Sequence, residues 1–241
     1  MRLLVFQHMA IEHPGIFRDF LAADGIAWDA VELDAGEPIP PLDGYDALWV
    51  LGGPMDVWQE DAHPWLVAEK RAIREAVAGR GLPYLGICLG HQLLGASLGG
   101  RVGKMAGAEV GILDVELTDA GRRDPLFAGL LPRFKALQWH GAEVATAPPG
   151  AVVLARSPAC AVQAIRIGAA AYGIQYHVEL TDRTVAEWAE VPAYACALDD
   201  TLGAGALPRF AAAAAAAMAD FNRDARLLYD NFMALVRRSA G

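Results

Sequence analysis

The stretch "LPYLGICLGHQLLG" (residues 82–95) sets an apolar run against a cysteine held between two glycines, then a polar pair at the start of a second segment. The apolar run predicts a buried strand over 82–87, and the segment that follows reads as a helix. Gly86 and Gly90 bracketing Cys88 suit a sharp, strained turn between the two, because neighbouring Cβ atoms would clash there. The thiol of Cys88 is therefore expected to stand out of the sheet. Its sulfur would lie near the positive end of the following helix, where a thiolate is favoured.

Working outward, further strands are predicted near 2–7, 26–31 and 45–51. The segments "HPGIFRDFLAADG" (13–25) and "HPWLVAEKRAIREAVAGRG" (63–81) read as helices, the second starting near Pro64 and ending at the glycines after Ala78. Both have the length that a parallel crossover demands. This alternation predicts a three-layer α/β fold, a mostly parallel central sheet with helices on both faces. From about 101 to 178 the texture turns β-rich, with some antiparallel strands expected, and the last fifty residues read as helical, punctuated by Pro192 and Pro208. The expected organisation is an α/β domain over 1–190 with a helical extension over 191–241 packed on it.

The chain has 241 residues, 54% of them hydrophobic, which is ample for a core. A formal net charge of −9 argues against nucleic acid as a partner, since phosphate-binding sites concentrate Lys and Arg. Three cysteines, at 88, 160 and 196, form no CxxC and no zinc spacing, which fits a reducing compartment; the expected location is cytoplasmic. The start "MRLLVFQHMAIEHPG" is too short in apolar residues for a signal peptide, and no segment reaches the roughly 20 apolar residues of a membrane span. No membrane partner, no metal and no cofactor are expected. His8, His13 and His63 fall in loops without a clustered ligand set, and His91 reads as a packing residue behind Cys88. Cys160 and Cys196 read as inert buried thiols, and Trp49, Trp58, Trp65 and Trp188 as core or crevice wall.

Two further stretches bear on Cys88. In "GIQYHVEL" (173–180), His177 and Glu179 are two apart, so on extended chain they point the same way and the carboxylate can hold an imidazole that serves the thiol. In isolation the same pair is a sheet histidine beside a surface glutamate. In "ALWVLGGPMDVWQED" (47–61), Gly52, Gly53 and Pro54 end an apolar strand. Adjacent parallel strands that end in glycine loops form a crevice where such folds bind ligands. Exposed N–H groups there, with that of Leu89, could stabilise an oxyanion by about 3 kcal/mol per donor.

Together these pieces resemble the class I glutamine amidotransferases, closest to the GMP synthase glutaminase type, here as a stand-alone member. The resemblance rests on "GGP" at 52–54, "GICLGHQLLG" at 86–95 and "GIQYHVE" at 173–179, and covers roughly residues 40 to 180. It implies a flavodoxin-like fold and a Cys-His-Glu triad of Cys88, His177 and Glu179. It implies oxyanion donors at Gly53 and Leu89 and substrate contacts at Gly52 and Gln92. "LQWHGAEV" (137–144) resembles a further family segment, which puts Trp139, His140 and Gly141 beside the substrate. Two departures stand out: the family usually has Asp after the His-Gly pair, where this chain has Ala142, and usually proline between His and Glu, where it has Val178.

The implied activity is hydrolysis of the glutamine side-chain amide through a γ-glutamyl thioester. No P-loop pattern is present, so the ammonia acceptor would be a separate synthetase. A free-standing hydrolase of γ-glutamyl peptides or amines and a non-catalytic binding protein are the alternatives. A sister branch with the same elbow carries His directly after the cysteine, where this chain has Leu89.

Overall fold

The computed structural model describes residues 1–239. Its strands are β1 (Arg2–Gln7), β2 (Ala27–Glu32), β3 (Ala47–Val50), β4 (Tyr84–Ile87), β5 (Arg101–Leu117), β6 (Arg133–Thr146), β7 (Val152–Arg156), β8 (Ala164–Ile167) and β9 (Ala171–Ile174). Its helices are α1 (Phe17–Ala23), α2 (Trp65–Arg74), α3 (Leu89–Ser97), α4 (Thr184–Trp188), α5 (Pro192–Leu202) and α6 (Leu207–Ser239). A single wider turn, Glu75–Gly79, carries α2 to the predicted glycine stop.

All nine strands join one sheet in the order β2-β1-β3-β4-β9-β8-β7-β5-β6. From β2 to β9 the pairing is parallel, and from β9 to β6 it is antiparallel. The expectation of a mostly parallel sheet thus holds for the five strands from β2 to β9, while an antiparallel limb makes the whole sheet mixed. The limb is dominated by the long β5–β6 hairpin, whose register shifts between Lys104 and Glu109.

β1, β3, β4 and β9 are apolar almost without interruption because both faces of the sheet are covered, the pattern of buried parallel strands. On one face α1 and α6 bury Phe17, Leu21, Tyr229 and Phe232 against Leu3, Val5 and Trp49. Trp49 meets Phe17, Tyr229 and Phe232 edge-on at 5.5, 6.4 and 6.2 Å, contacts that add about 0.5–1.5 kcal/mol each beyond area burial. On the other face α2 and α3 bury Leu66, Ile73, Leu93 and Leu94. A third cluster joins α4, α5 and the start of α6 to Val110 and Trp139 of the hairpin. Among the described residues no single helix is long and apolar enough to cross a membrane.

β4 lies between β3 and β9, in register at Val50↔Gly86 and Gly86↔Gly173. The chain leaving each of these three strands therefore emerges at the same sheet edge. That placement brings the 52–54 loop, Cys88 and the 175–180 segment side by side.

Candidate active site

Cys88 joins β4 to α3 at φ +51°, ψ −104°, and is the one non-glycine residue with positive φ among the described residues. Such a conformation costs about 1–3 kcal/mol and persists where its surroundings over-determine it. Here the Cys88 N–H donates to the Ile174 carbonyl at 2.8 Å, and the Gly90 N–H to Leu51 at 3.1 Å. The Tyr84 hydroxyl donates to the Gly90 carbonyl at 2.8 Å. The two glycines do the job their spacing suggests, removing Cβ atoms that would clash, although neither takes positive φ itself. A Cβ on Gly90 would lie 2.0 Å from the Val50 carbonyl oxygen, and one on Gly86 2.5 Å from the Gly90 carbonyl. They let α3 descend onto β3 and β4, and the strain is left on the cysteine.

His177 follows β9 and donates its backbone N–H to Leu137 of β6 at 2.9 Å, which anchors it to the antiparallel limb. Its Nδ1–H donates to Glu179 Oε1 at 2.6 Å, and the edge of the Trp188 ring packs on the imidazole with centroids 4.5 Å apart. The other carboxylate oxygen, Glu179 Oε2, accepts from the Val178 N–H at 2.9 Å. The proline usual in the resembling family has no N–H, so Val178 supplies a clamp that proline would not. Burial alone would lower the His177 pKa; the nearby Glu179 carboxylate and Cys88 sulfur outweigh it and hold the pKa well above its ordinary value. The imidazole and carboxylate of the 173–179 segment are thus joined to each other, and Cys88, His177 and Glu179 are all buried.

A cleft of about 120 Å³ opens onto Cys88 and is lined by Gly53, Leu89, Gln92, Trp139, His140 and Gly141, among others. That volume suits a small molecule, well below the roughly 300–1,000 Å³ of larger ligand pockets. The N–H groups of Gly53 and Leu89, two residues that line the cleft, meet no acceptor among the described residues. Gln92 donates both amide hydrogens inward, to Ala142 O and Gln175 Oε1 at 3.1 Å each, which leaves its oxygen to face a ligand. The Trp139 indole donates to the Tyr194 carbonyl at 3.1 Å and so holds α5 rather than a ligand. His140 donates from Nδ1 to Ala142 O at 2.9 Å and sets Nε2 3.2 Å from Glu109. Gly52 does not line the cleft: a Cβ there would meet Glu12 Oε2 at 2.5 Å, so its place is beneath the triad.

The family model "Glutamine amidotransferase class-I" matches residues 22–187. The chain belongs to the class I glutamine amidotransferase family. YfeJ, a glutamine amidotransferase-like protein of Salmonella typhimurium, is 35% identical over 191 residues, 77% of this chain and 78% of that protein. A glutamine-hydrolyzing GMP synthase component of Sulfurisphaera tokodaii is 35% identical over 153 residues, 63% of this chain and 77% of that protein. The crystal structure of a glutamine amidotransferase from Thermotoga maritima superposes with a TM-score of 0.81 at 28% identity, covering 99% of this chain and 97% of that one.

Sequence reasoning gave no role to several residues that the fold places at the cleft or beneath it. Tyr194 of α5 lines it and donates its hydroxyl to the buried Glu12, which reaches in from the loop after β1. Burial raises the Glu12 pKa, against the opposing influence of His177 and the Tyr194 hydrogen bond. Asp56 is the one Asp, Glu, Lys or Arg among the cleft-lining residues, and its carboxylate has no hydrogen-bond or ion-pair partner among the described residues. His8, in the same loop as Glu12, is wholly buried between Gly52 and Glu69. The signal for the Glu12 and His8 loop was its position at the carboxyl end of a parallel strand, where ligands of such sheets bind.

Two expectations need correction. Cys196 is exposed, because it falls on the outward face of α5, and Trp58 is 41% exposed rather than core or crevice wall. Cys160 is buried, and burial pushes its thiol pKa up to about 12. Among the described residues no group of three or more His, Cys, Asp or Glu is placed to hold a metal ion.

Proposed function

We propose that the protein hydrolyses the side-chain amide of glutamine through a thioester on Cys88. The observation that carries this reading is the His177–Glu179 pair close enough to Cys88 to feel its sulfur, beside a cleft with two unpartnered backbone N–H groups. The Cys88 sulfur adds to the amide carbon, and the N–H groups of Gly53 and Leu89 receive the developing oxyanion. His177, held as imidazolium by Glu179, gives its proton to the departing nitrogen, so ammonia leaves and a γ-glutamyl thioester remains. A water, deprotonated by His177, then adds to the thioester carbon; glutamate leaves and the thiol is restored. The ammonia passes to a separate acceptor protein.

A second reading, a free-standing hydrolase of γ-glutamyl peptides or amines, is favoured by one feature: Ala142 stands where the family usually has an aspartate at the substrate's amino-acid end. Assaying the purified protein alone against L-glutamine and a panel of γ-glutamyl compounds separates the two. Glutamine turnover lost in Cys88→Ala supports the first, and turnover of the panel alone supports the second. Cleavage of neither, with no labelling of Cys88 by diazo-oxo-norleucine, would count against both.

A further inference from the structure

The buried loop after β1 holds an ion pair that no step above uses. His8 and Glu69 are both completely buried, with His8 Nε2 2.8 Å from Glu69 Oε1. The other ring nitrogen, Nδ1, is 2.7 Å from the carbonyl oxygen of Gly52. A carbonyl oxygen only accepts, so Nδ1 carries a proton; a carboxylate likewise only accepts, so Nε2 carries the other and the ring is an imidazolium. Burial pulls the His8 pKa down, but Glu69 and the Gly52 carbonyl outweigh it and raise the pKa above its ordinary value. Trp65 of α2 stacks on the ring at 5.4 Å and 19°, fixing its plane, and Glu12 adds a nearby acidic group from the same loop.

The Gly52 carbonyl and the Gly53 N–H belong to one trans peptide, so they point in opposite directions. With the carbonyl drawn toward His8, the Gly53 N–H is turned the other way, onto the cleft that Gly53 lines with Cys88. The peptide is gripped from both sides: a Cβ on Gly52 would meet Glu12 Oε2 at 2.5 Å, and one on Gly53 would meet His8 Cβ at 3.0 Å and Leu89 Cδ2 at 2.9 Å. A cation hydrogen-bonded to a peptide oxygen also draws charge through the amide and strengthens its N–H as a donor.

We propose that His8, charged and oriented by Glu69, is a positioning residue that aims and polarises the Gly53 N–H as an oxyanion donor. This rests on the reading of Cys88 as a nucleophile that becomes acylated. It makes His8 act through a peptide, without touching the substrate, and assigns the β1 loop a part in acyl transfer.

The test compares two reactions of Cys88 that need no knowledge of the true substrate. Acylation by p-nitrophenyl acetate passes through an oxyanion, whereas alkylation by iodoacetamide displaces iodide and forms none. Cys88→Ala protein supplies the background, including the exposed Cys196. In His8→Leu, acylation should slow by about tenfold to 10²-fold, below the loss from deleting an oxyanion donor outright, with alkylation changed less than about twofold. His8→Asn, whose amide N–H can take the place of Nδ1–H, should recover acylation to within about threefold of the parent protein. Glu69→Gln, which removes the charge and keeps the volume, should slow acylation alone by several-fold. Equal slowing of both reactions, or unchanged acylation, in His8→Leu overturns the proposal; if that variant is not recovered folded, the same two results in Glu69→Gln do so. Failure of the parent protein to hydrolyse any γ-glutamyl amide while the acylation effect persists would sink the substrate assignment and leave His8's role standing.

Discussion

Glu179→Gln tests the site most directly, because the structure leaves the amide no satisfactory orientation. Both carboxylate oxygens are in use, Oε1 accepting from His177 Nδ1–H at 2.6 Å and Oε2 from the Val178 N–H at 2.9 Å. A glutamine has one oxygen. If it serves Val178, the amide NH₂ faces Nδ1 and forces the tautomer whose Nε2–H points at Cys88, so the ring can no longer act as base. If it serves His177, the NH₂ meets the Val178 N–H donor to donor. Losing a hydrogen bond to a charged group costs about 1.5–3 kcal/mol, and leaving a buried donor unpaired about 1–3 kcal/mol more. The sum, about 2.5–6 kcal/mol, predicts a fall of about 10²- to 10⁴-fold in kcat/KM, measured by glutamate release. The same logic predicts coupling with position 178. In a Val178→Pro background the competing N–H is gone, so the single oxygen of the introduced amide can keep Nδ1–H and the loss should shrink by about tenfold or more. A double-mutant cycle with no coupling, or a Glu179→Gln loss under about tenfold, would refute the donor count.

Gly90→Ala puts a methyl 2.0 Å from the Val50 carbonyl, and backbone cannot swing aside; the melting temperature should drop by about 6–12 °C, for a loss of about 3 kcal/mol. Gly103→Ala, where a Cβ meets nothing within 4 Å, is the control and should leave the melting temperature within about 2 °C. His91 is buried and neutral, its pKa lowered to about 3 by desolvation, while its Nε2–H donates to Val162 O at 3.2 Å. Its folded pKa lies below the unfolded value of about 6.5, so acid favours the unfolded chain: about 2 kcal/mol should be lost between pH 7.5 and 5. His91→Gln keeps the donor without the titration, and urea unfolding at the two pH values should show a loss smaller by that amount; equal losses in both proteins would contradict the assignment. Asp56→Asn should raise KM for L-glutamine about tenfold with kcat nearly unchanged, yet leave glutaramic acid, which lacks the α-amino group, unaffected, if the unpaired carboxylate receives the substrate's ammonium.

What was legible in the chain follows from how each signal arises. The strands around the elbow are covered on both faces, so they are written as unbroken apolar runs that need no partner to be recognised. The elbow was legible because only glycine allows backbone to approach backbone as Gly90 approaches Val50. The antiparallel limb was harder to bound, since its long hairpin begins on a stretch with no buried position to set an alternation: residues 101–107 of β5 are all intermediate or exposed. Tyr194 could not be found from spacing at all. It stands 182 residues from its partner Glu12, and its helix is placed by the Trp139 indole, a contact that exists only once the hairpin has formed.

His8 was given no role, and Glu12 was missed, for a different reason. Their loop has no periodicity and no glycine bracket, so residue by residue it looks like solvent-facing connection. Yet β1 pairs directly with β3, in register from Leu3↔Ala47 to Phe6↔Val50, so whatever leaves β1 must emerge beside whatever leaves β3. Once the 52–54 glycines were assigned to the site, the first polar residues after β1 had to border them, one register step away. Buried charge there is expensive unless paired, and both groups are paired, His8 with Glu69 and Glu12 with Tyr194. A chain that retains two such costs at one sheet edge is shaping the adjacent peptide rather than filling space, and a leucine at either position would have filled the space more cheaply.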